Sequence, residues 1–130
     1  MEREGYVSLW LGNIPLEELL YEYVEVTYNE DGLCEESQFL KDFNINMEDF
    51  DEDFIESIFI EENTNALEEI LDGCSYEETV IPELNVFVRE KQIEGYNTAI
   101  LLYNFHYEGE IEKVSNSICN FTYVGTVKYE

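Results

Sequence analysis

The sequence of 130 residues predicts an α+β fold, with a mixed or antiparallel β-sheet and helices packed against one of its faces. Three observations support this class. Apolar residues alternate or run together near both ends of the chain, as they do in strands. Between these segments, apolar residues recur at helical spacing behind turn and capping signals. No internal repeat, linker or low-complexity segment interrupts the pattern, so residues 1–130 are expected to form a single domain.

The first part of the chain predicts one strand and two helices. Residues 6–12 form an apolar run bounded by glycines, which is typical of a strand. Pro15 suits the first turn of a helix that continues to Val24, and Ser37 suits the N-cap of a shorter helix. The residues expected to face inward from these helices share helical spacing: Leu16, Leu19, Leu20, Tyr23 and Val24, then Phe39, Leu40 and Phe43.

The middle of the chain predicts a strand and two further helices. Residues 54–60 alternate like a strand. Asn65 and Glu68 resemble a capping box ahead of a helix that ends near Gly73. A second helix is expected to begin near Pro82 and to reach about residue 91.

The last third of the chain predicts three strands. Residues 99–103 form a continuous apolar run, which indicates a strand covered on both faces and continuing to about Tyr107. Glu108 and Gly109 suit a hairpin turn. Residues 111–114 and 119–129 then follow as strands, so the predicted order is β-α-α-β-α-α-β-β-β. In the last of them the alternation comprises Phe121, Tyr123, Gly125, Val127 and Tyr129.

The charge is the most unusual property of the composition. There are 31 Asp and Glu residues against six Lys and Arg residues, a formal net charge of −25. Such a surface repels nucleic acid and anionic membranes, so neither is an expected partner. It attracts cationic proteins and accelerates their association. The alternative is that the acidic residues serve only solubility or adaptation to a saline cytoplasm.

The acidic residues are concentrated between positions 28 and 62. This segment holds 13 Asp and Glu residues with a single lysine, and aromatic residues lie among them. Carboxylates can pair with Arg and Lys of a partner while an aromatic ring supplies an apolar anchor. We therefore expect a partner-binding surface here, although a hydrated loop with its aromatic rings in the core would show the same composition. The expected binding residues are Glu30, Asp31, Glu35, Glu36, Asp49, Phe50, Asp51, Glu52 and Asp53.

Catalytic motifs are weak in this sequence. His106 is the one histidine, and its place in a predicted strand favours a surface side chain over a general base. The sequence has no G-x-S-x-G elbow and no glycine-rich phosphate loop. A cysteine–histidine pair stays open, because such partners meet in space and not in sequence. The protein is not expected to be an enzyme or to need a cofactor.

A calcium site is also not expected. Asp49, Asp51 and Asp53 alternate like the start of an EF-hand loop, but that loop requires Gly and Glu where Phe54 and Ile60 stand.

The three cysteines, Cys34, Cys74 and Cys119, lie 40 and 45 residues apart. This spacing fits neither a zinc site nor a disulfide framework. It favours buried thiols in the cytoplasm, and no apolar run is long enough for a signal peptide or a membrane span.

Two segments carry a resemblance to a known family. They are Y-V-S-L-W-L-G-N at residues 6–13 and Y-N-T-A-I-L-L-Y-N-F at residues 96–105, on either side of the acidic middle. Over about residues 5 to 129 the chain resembles the bacterial family of immunity protein 22. The resemblance implies a small α+β cytoplasmic protein of a polymorphic toxin system, which binds and neutralises a cognate toxin. It supplies no catalytic motif and does not identify the toxin.

Electrostatics agrees with that implication. A toxin that attacks nucleic acid, such as a nuclease, needs a cationic cleft for phosphates, and an acidic inhibitor can occupy or cover such a cleft. Two alternatives have different partners or chemistry. One is an acidic DNA-mimic regulator of another nucleic-acid-binding protein, and the other is a small cytoplasmic enzyme that uses His106 and a cysteine.

Overall fold

The fold was analysed in a computed structural model, which describes residues 2–25, 27–28, 34–35, 37–45, 55–72, 76–115 and 119–129. The strands in this part of the chain are β1 (Glu2–Asn13), β2 (Thr27–Tyr28), β3 (Cys34–Glu35), β4 (Ile55–Thr64), β5 (Tyr96–Phe105), β6 (Lys113–Ser115) and β7 (Asn120–Lys128). The helices are α1 (Glu17–Val24), α2 (Gln38–Asp42), α3 (Leu67–Ile70) and α4 (Glu77–Lys91).

Five of these strands form one antiparallel sheet in the order β4-β5-β1-β7-β6. Strand β1 is central, because it pairs with β5 on one side and with β7 on the other. Strands β2 and β3 form a separate two-stranded ribbon. The predicted α+β class is confirmed, and the predicted order of elements matches once this ribbon is added.

Helices cover both faces of the sheet, so the expectation of a single covered face is wrong. Successive side chains of β1 point to opposite faces, and Leu9 and Trp10 accordingly belong to different core clusters. Helices α3 and α4 pack on the Leu9 face, whereas α1 and α2 pack on the Trp10 face. The reason is that β1 and β5 are apolar on both sides, as predicted for β5, and each side must be buried.

The Trp10 face has an aromatic core. The indole of Trp10 is fully buried and its ring centroid lies 5.0 Å from that of Phe39, 5.8 Å from that of Phe43 and 5.3 Å from that of Tyr107. These rings meet edge to face, the arrangement that aromatic quadrupoles favour. They hold α2 and the connection after β5 against the centre of the sheet.

Two of the predicted helix starts behave differently. The Ser37 hydroxyl accepts a hydrogen bond from the backbone N–H of Leu40 at 3.2 Å, so the predicted cap of α2 is confirmed. Leu16 is the N-cap residue of α1 and is 58% exposed, so it does not join the apolar stripe. Leu20 and Tyr23 of that stripe are buried.

The predicted boundaries of α3 and α4 need correction. Ala66 is the N-cap residue of α3 and makes no side-chain cap, whereas the Asn65 side chain accepts a hydrogen bond from the backbone N–H of Gly95 at 2.6 Å. The Asn65 side chain therefore bonds to a segment that is distant in sequence and does not cap α3 as the capping-box pattern predicted. Helix α4 begins at Glu77, so Pro82 lies inside it. Proline there removes one backbone donor, and the buried Val80 and Leu84 on either side of it keep the helix on the sheet.

The last strands also differ from the predicted hairpin. Strand β6 pairs with β7 and not with β5, so residues 106–112 form a crossover and not a tight turn. Tyr107 is buried in this crossover, where its hydroxyl lies 2.8 Å from the carbonyl oxygen of Ile111 and 3.1 Å from that of Phe43. Glu108 and Gly109 have a sequence typical of a hairpin turn, but the burial of the Tyr107 ring on the Trp10 face favours the crossover instead.

A β-bulge resets the alternation of β7. Leu9 is opposite Gly125 but Trp10 is opposite Tyr123, so Val124 is the additional residue. As a result Tyr123 packs on the Trp10 face and Val127 on the Leu9 face. The expected single-face alternation from Phe121 to Tyr129 is therefore wrong, because a strict period of two cannot include a bulge.

Candidate partner-binding surface

Eight of the nine predicted binding residues lie outside the residues that the structure describes. Glu30, Asp31, Glu36 and residues 49–53 are outside the described residues, as is Phe54. Glu35 lies in strand β3. Their part in binding therefore stays a prediction, whereas other acidic residues of the chain lie in described elements.

Strand β4 forms one edge of the sheet. Within the described residues its strand partner is β5, with Ile55 opposite Leu102 and Phe59 opposite Thr98. Residues 55–60 are all half-buried, and the sequence there is rich in Ile and Phe. Glu56 is held in place by a hydrogen bond of 2.9 Å that its carboxylate accepts from the hydroxyl of Tyr103.

Helices α1 and α3 flank this edge on opposite faces of the sheet. Both pack against β4, α1 from the Trp10 face and α3 from the Leu9 face. Residues 17–25 and 55–72, which comprise these elements and the residues that follow them, contain no Lys or Arg. We call this region the acidic edge. Its ten carboxylates are Glu17, Glu18, Glu22, Glu25, Glu56, Glu61, Glu62, Glu68, Glu69 and Asp72.

The exposure of these carboxylates makes the edge strongly negative toward solvent. Apart from Glu56, every one of the ten is exposed. With no basic residue in the same elements to neutralise them, the field of such a cluster extends outward over about a Debye length, roughly 8 Å at physiological ionic strength. The acidic edge is therefore suited to attract a cationic surface and to orient its approach.

The opposite edge of the sheet carries basic residues. Lys113 lies in β6 and Lys128 at the end of β7. Lys91, from the end of α4, donates a hydrogen bond of 3.0 Å to the carbonyl oxygen of Tyr123, lies 5.0 Å from the centroid of that ring, and is 4.0 Å from a carboxylate oxygen of Glu112. Three of the six Lys and Arg residues of the chain thus lie at this edge.

Buried tyrosines near the acidic edge are kept neutral. The pKa of Tyr96 is raised to about 12, chiefly by burial and then by the negative charges of Glu68 and Glu69. The pKa of Tyr23 is also raised, first by burial and then by the hydrogen bond of 2.8 Å that its hydroxyl donates to Asp42. These groups are therefore suited to packing and not to proton transfer near neutral pH.

A cavity of about 680 Å³ lies between α3, α4 and residues 92–94. Its lining combines the carboxylates of Glu68 and Glu94, the guanidinium of Arg89 and polar side chains such as Asn85. All three charged groups are exposed to solvent. The cavity offers hydrogen-bonding groups but no constellation for acid–base or nucleophilic chemistry.

The described residues include His106 and two of the three cysteines. His106 follows β5, and its Nδ1 lies 3.2 Å from a guanidinium nitrogen of Arg3 and 3.8 Å from a carboxylate oxygen of Glu108. Cys119 is buried in the core of the Trp10 face, and Cys34 lies in β3. Cys74 is outside the described residues. No group of three or more His, Cys, Asp and Glu side chains in the described part of the chain could hold a metal ion.

The residues that carry the family resemblance act in the fold. A Cβ atom at Gly12 would overlap the carbonyl oxygen of Asn120 and lie 2.6 Å from the ring of Phe121, so the close contact of β1 and β7 requires glycine. The Asn13 amide donates hydrogen bonds to the carbonyl oxygen of Gly95 at 2.6 Å and to the side chain of Asn63 at 3.0 Å.

Asn104 makes equivalent links at the other end of the sheet. It has a positive φ of 59°, and its side-chain oxygen accepts hydrogen bonds from the backbone N–H of Gly5 at 3.0 Å and from the hydroxyl of Tyr129. Both motif segments therefore join β1 to its neighbours in the sheet.

Fold and surface together define a small α+β protein with one long acidic sheet edge and no described catalytic centre. A model of the Immunity protein 22 family matches residues 7–130, and the chain belongs to this family. Its function is accordingly that of an immunity protein directed against a toxin. No curated protein and no solved structure matched the chain. Among the described residues, no helix has the length and apolar character needed to cross a membrane.

Proposed function

We propose that the protein neutralises its cognate toxin by binding a basic surface of the toxin domain through the acidic edge, together with the acidic residues at positions 30–53. The observation that carries this proposal is the concentration of ten carboxylates around β4 without any basic residue in the same elements. The partner is a protein with a positive surface, and a nuclease domain is the leading candidate because its substrate cleft must be cationic.

The carboxylates and the apolar side chains of this edge have different roles in the proposed complex. The exposed carboxylates of α1 and α3 steer the encounter and raise the association rate. The half-buried Ile55, Ile58 and Phe59 supply apolar area that leaves water on binding and slows dissociation. Inhibition then follows from covering the toxin and needs no chemical step, no cofactor and no metal on this chain.

The cytoplasm of the producing cell is the proposed site of action. Three cysteines at spacings that fit no disulfide framework support a reducing compartment. An immunity protein there meets toxin delivered by neighbouring cells as well as toxin made in the same cell.

Co-expression tests the proposal. The toxin domain encoded immediately upstream of this chain is expressed in a sensitive host with and without the protein. Rescue of growth together with a co-purifying complex supports immunity by binding. Rescue without any complex would indicate an enzymatic or regulatory role, and the proposal would then be wrong.

Charge reversal tests the assignment of the surface. The double variant Glu61→Lys and Glu62→Lys is expected to lower the association rate constant by about tenfold or more and to weaken its salt dependence. The matched control is Glu90→Lys with Glu110→Lys, which makes the same change in net charge at exposed positions outside the acidic edge. If both variants slow association equally, overall charge and not the acidic edge governs binding.

A further inference from the structure

Strand β4 offers backbone hydrogen-bonding groups as well as charge. In a strand, successive N–H and C=O groups point alternately to the two sides, so only about half of those in residues 55–60 face β5. The others point away from the described sheet. Six residues of strand span about 20 Å, long enough to pair with a segment of similar length.

The regular part of this edge is well defined. The pairing of β4 with β5 runs without interruption from Ile55 opposite Leu102 to Phe59 opposite Thr98, and the register shifts only after Phe59. The segment contains no proline or lysine, the residues that commonly block an edge. Its side chains contact both cores, Ile58 and Ile60 on the Leu9 face and Ile55 and Phe59 on the Trp10 face. An added strand would therefore find a backbone segment of regular register with apolar side chains on both faces of the sheet.

We propose that β4 receives an extended, cationic segment of the cognate toxin as an additional antiparallel or parallel strand, which makes the five-stranded sheet six-stranded in the complex. This inference rests on the proposed function and specifies how the toxin is held. Main-chain hydrogen bonds supply affinity in this mode of recognition, and side chains alternating across the new strand supply specificity.

The charges around β4 favour a basic strand from the toxin over a second copy of this chain. Glu56, Glu61 and Glu62 lie on β4 itself, and the carboxylates of α1 and α3 lie on either side of it. Pairing with β4 of a second copy would place these same carboxylates against each other, which is unfavourable. A segment with Lys or Arg among β-branched or aromatic residues satisfies both the charges and the half-buried apolar side chains. The same carboxylates thus prevent self-association and favour a basic strand.

Amide hydrogen exchange tests the inference directly. We compare exchange at each backbone amide of residues 55–60 in the protein alone and in its complex with the purified toxin domain. Alternate amides, those that point away from β5, are expected to exchange at least about tenfold more slowly in the complex. A stable complex with unchanged exchange in β4 would overturn strand addition while leaving the proposed function intact. Failure to form a complex at all would overturn both.

Proline substitutions provide a second measurement. Ser57 and Ile58 are adjacent, so the N–H of one points to β5 and that of the other points outward. Proline is tolerated on an edge strand where the N–H faces outward, so one of Ser57→Pro and Ile58→Pro should stay folded, and Ser57→Ala and Ile58→Ala measure the effect of the lost side chain alone. That folded variant is expected to bind the toxin domain at least about tenfold more weakly, because it lacks a donor and its ring obstructs the ladder.

The matched control is Ser115→Pro, the same substitution in the other edge strand. It is expected to leave toxin affinity unchanged. Equal loss of affinity in the β4 and β6 variants would contradict the inference. So would a β4-linked dimer of the protein alone, seen as a mass of twice the monomer with protected β4 amides in the absence of toxin.

Discussion

The two edges of the sheet differ in length, charge and side-chain character. The β6 edge has three residues, Lys113, Val114 and Ser115, and lies beside the anchored ammonium of Lys91. The β4 edge has ten residues and carries carboxylates and half-buried Ile and Phe side chains. Short strands and lysines are among the devices that keep an edge from pairing with another chain. The β6 edge uses both, whereas the β4 edge uses neither.

The two edges differ in how readily they can pair with another chain. A long apolar edge without basic residues is a liability unless something specific covers it or like charges repel copies of itself. The carboxylates of the acidic edge supply that repulsion and still admit a basic partner. The contrast supports the proposal that β4 binds the toxin, whereas the β6 edge has the features of a strand protected from non-specific pairing.

The largest effect is expected at Gly12, since β1 supports both edges through β5 and β7. Gly12→Ala places a methyl group against Asn120 and Phe121 and should destabilise the fold by about 3 kcal/mol or more. Gly95→Ala is the matched control, since Gly95 has a φ of 66° but open space around it, and it should cost only about 1 kcal/mol. Urea denaturation measures both. Equal stability of the two variants would show that β1 and β7 separate without penalty.

The next effect is expected at alkaline pH, beneath the acidic edge. The pKa of Tyr96 is raised from 10.0 to about 12, so between these values the folded protein binds more protons than the unfolded chain. Stability from this group is complete below pH 10 and should fall by about 2 kcal/mol as the pH rises toward 12.

Chemical denaturation between pH 9 and pH 12 checks this expectation. Tyr96→Phe should flatten part of the dependence, because the titrating hydroxyl is gone. The double variant Glu68→Gln and Glu69→Gln removes two negative charges that raise the pKa of Tyr96. Ionisation in the folded state should then begin at lower pH, and the total loss of stability should be smaller. A dependence identical in all three proteins would show that Tyr96 does not couple to the edge.

Salt is expected to act in opposite directions on stability and on binding. Screening reduces repulsion among the carboxylates, so about 0.5 M NaCl should raise the melting temperature by several degrees. The same screening should lower the association rate with the toxin domain. Calorimetry and stopped-flow measurements on one preparation test the pair. A melting temperature that does not respond to salt would mean that the carboxylates are already compensated in the folded protein.

The smallest effect is expected at the β6 edge. Lys91→Met removes the hydrogen bond to Tyr123 and the partly exposed ion pair with Glu112, and should cost less than about 1 kcal/mol. Toxin affinity should be unchanged, since Lys91 lies across the sheet from β4. A clear change in affinity would place part of the binding surface at this edge. Lys113→Met is the control for loss of one positive charge there.

Local patterns predicted most elements of the fold. Capping by Ser37, the apolar run of β5 and the buried residues of α1 depend on neighbours in sequence, and the structure confirms them. The faces covered by helices, the partner of β6 and the alternation of β7 depend on packing and pairing between distant residues, and the predictions of these three features were wrong. Asn65 is an example of a long-range contact replacing a local one. Its side chain was predicted to cap α3 but accepts a hydrogen bond from the backbone N–H of Gly95.

The candidate site could be predicted only in part. Glu56, Glu61 and Glu62 lie within the acidic segment recognised from composition. The contribution of α1 and α3 could not be read from local sequence, because topology alone brings residues 17–25 beside residues 55–72. The absence of any basic residue from both ranges was the signal that could have linked them.

The order of strands also governs when the protein can fold. Strand β1 is synthesised early, yet its partners are β5 and β7, with Val7 opposite Tyr103 and Tyr6 opposite Lys128. Pairing over such separations makes folding slow, on the order of milliseconds to seconds, and prevents the central ladder from closing on the nascent chain before residues 96–128 have emerged from the ribosome. Until those residues have been synthesised, β1 lacks both of its described strand partners, so the sheet that carries the proposed binding edge cannot form.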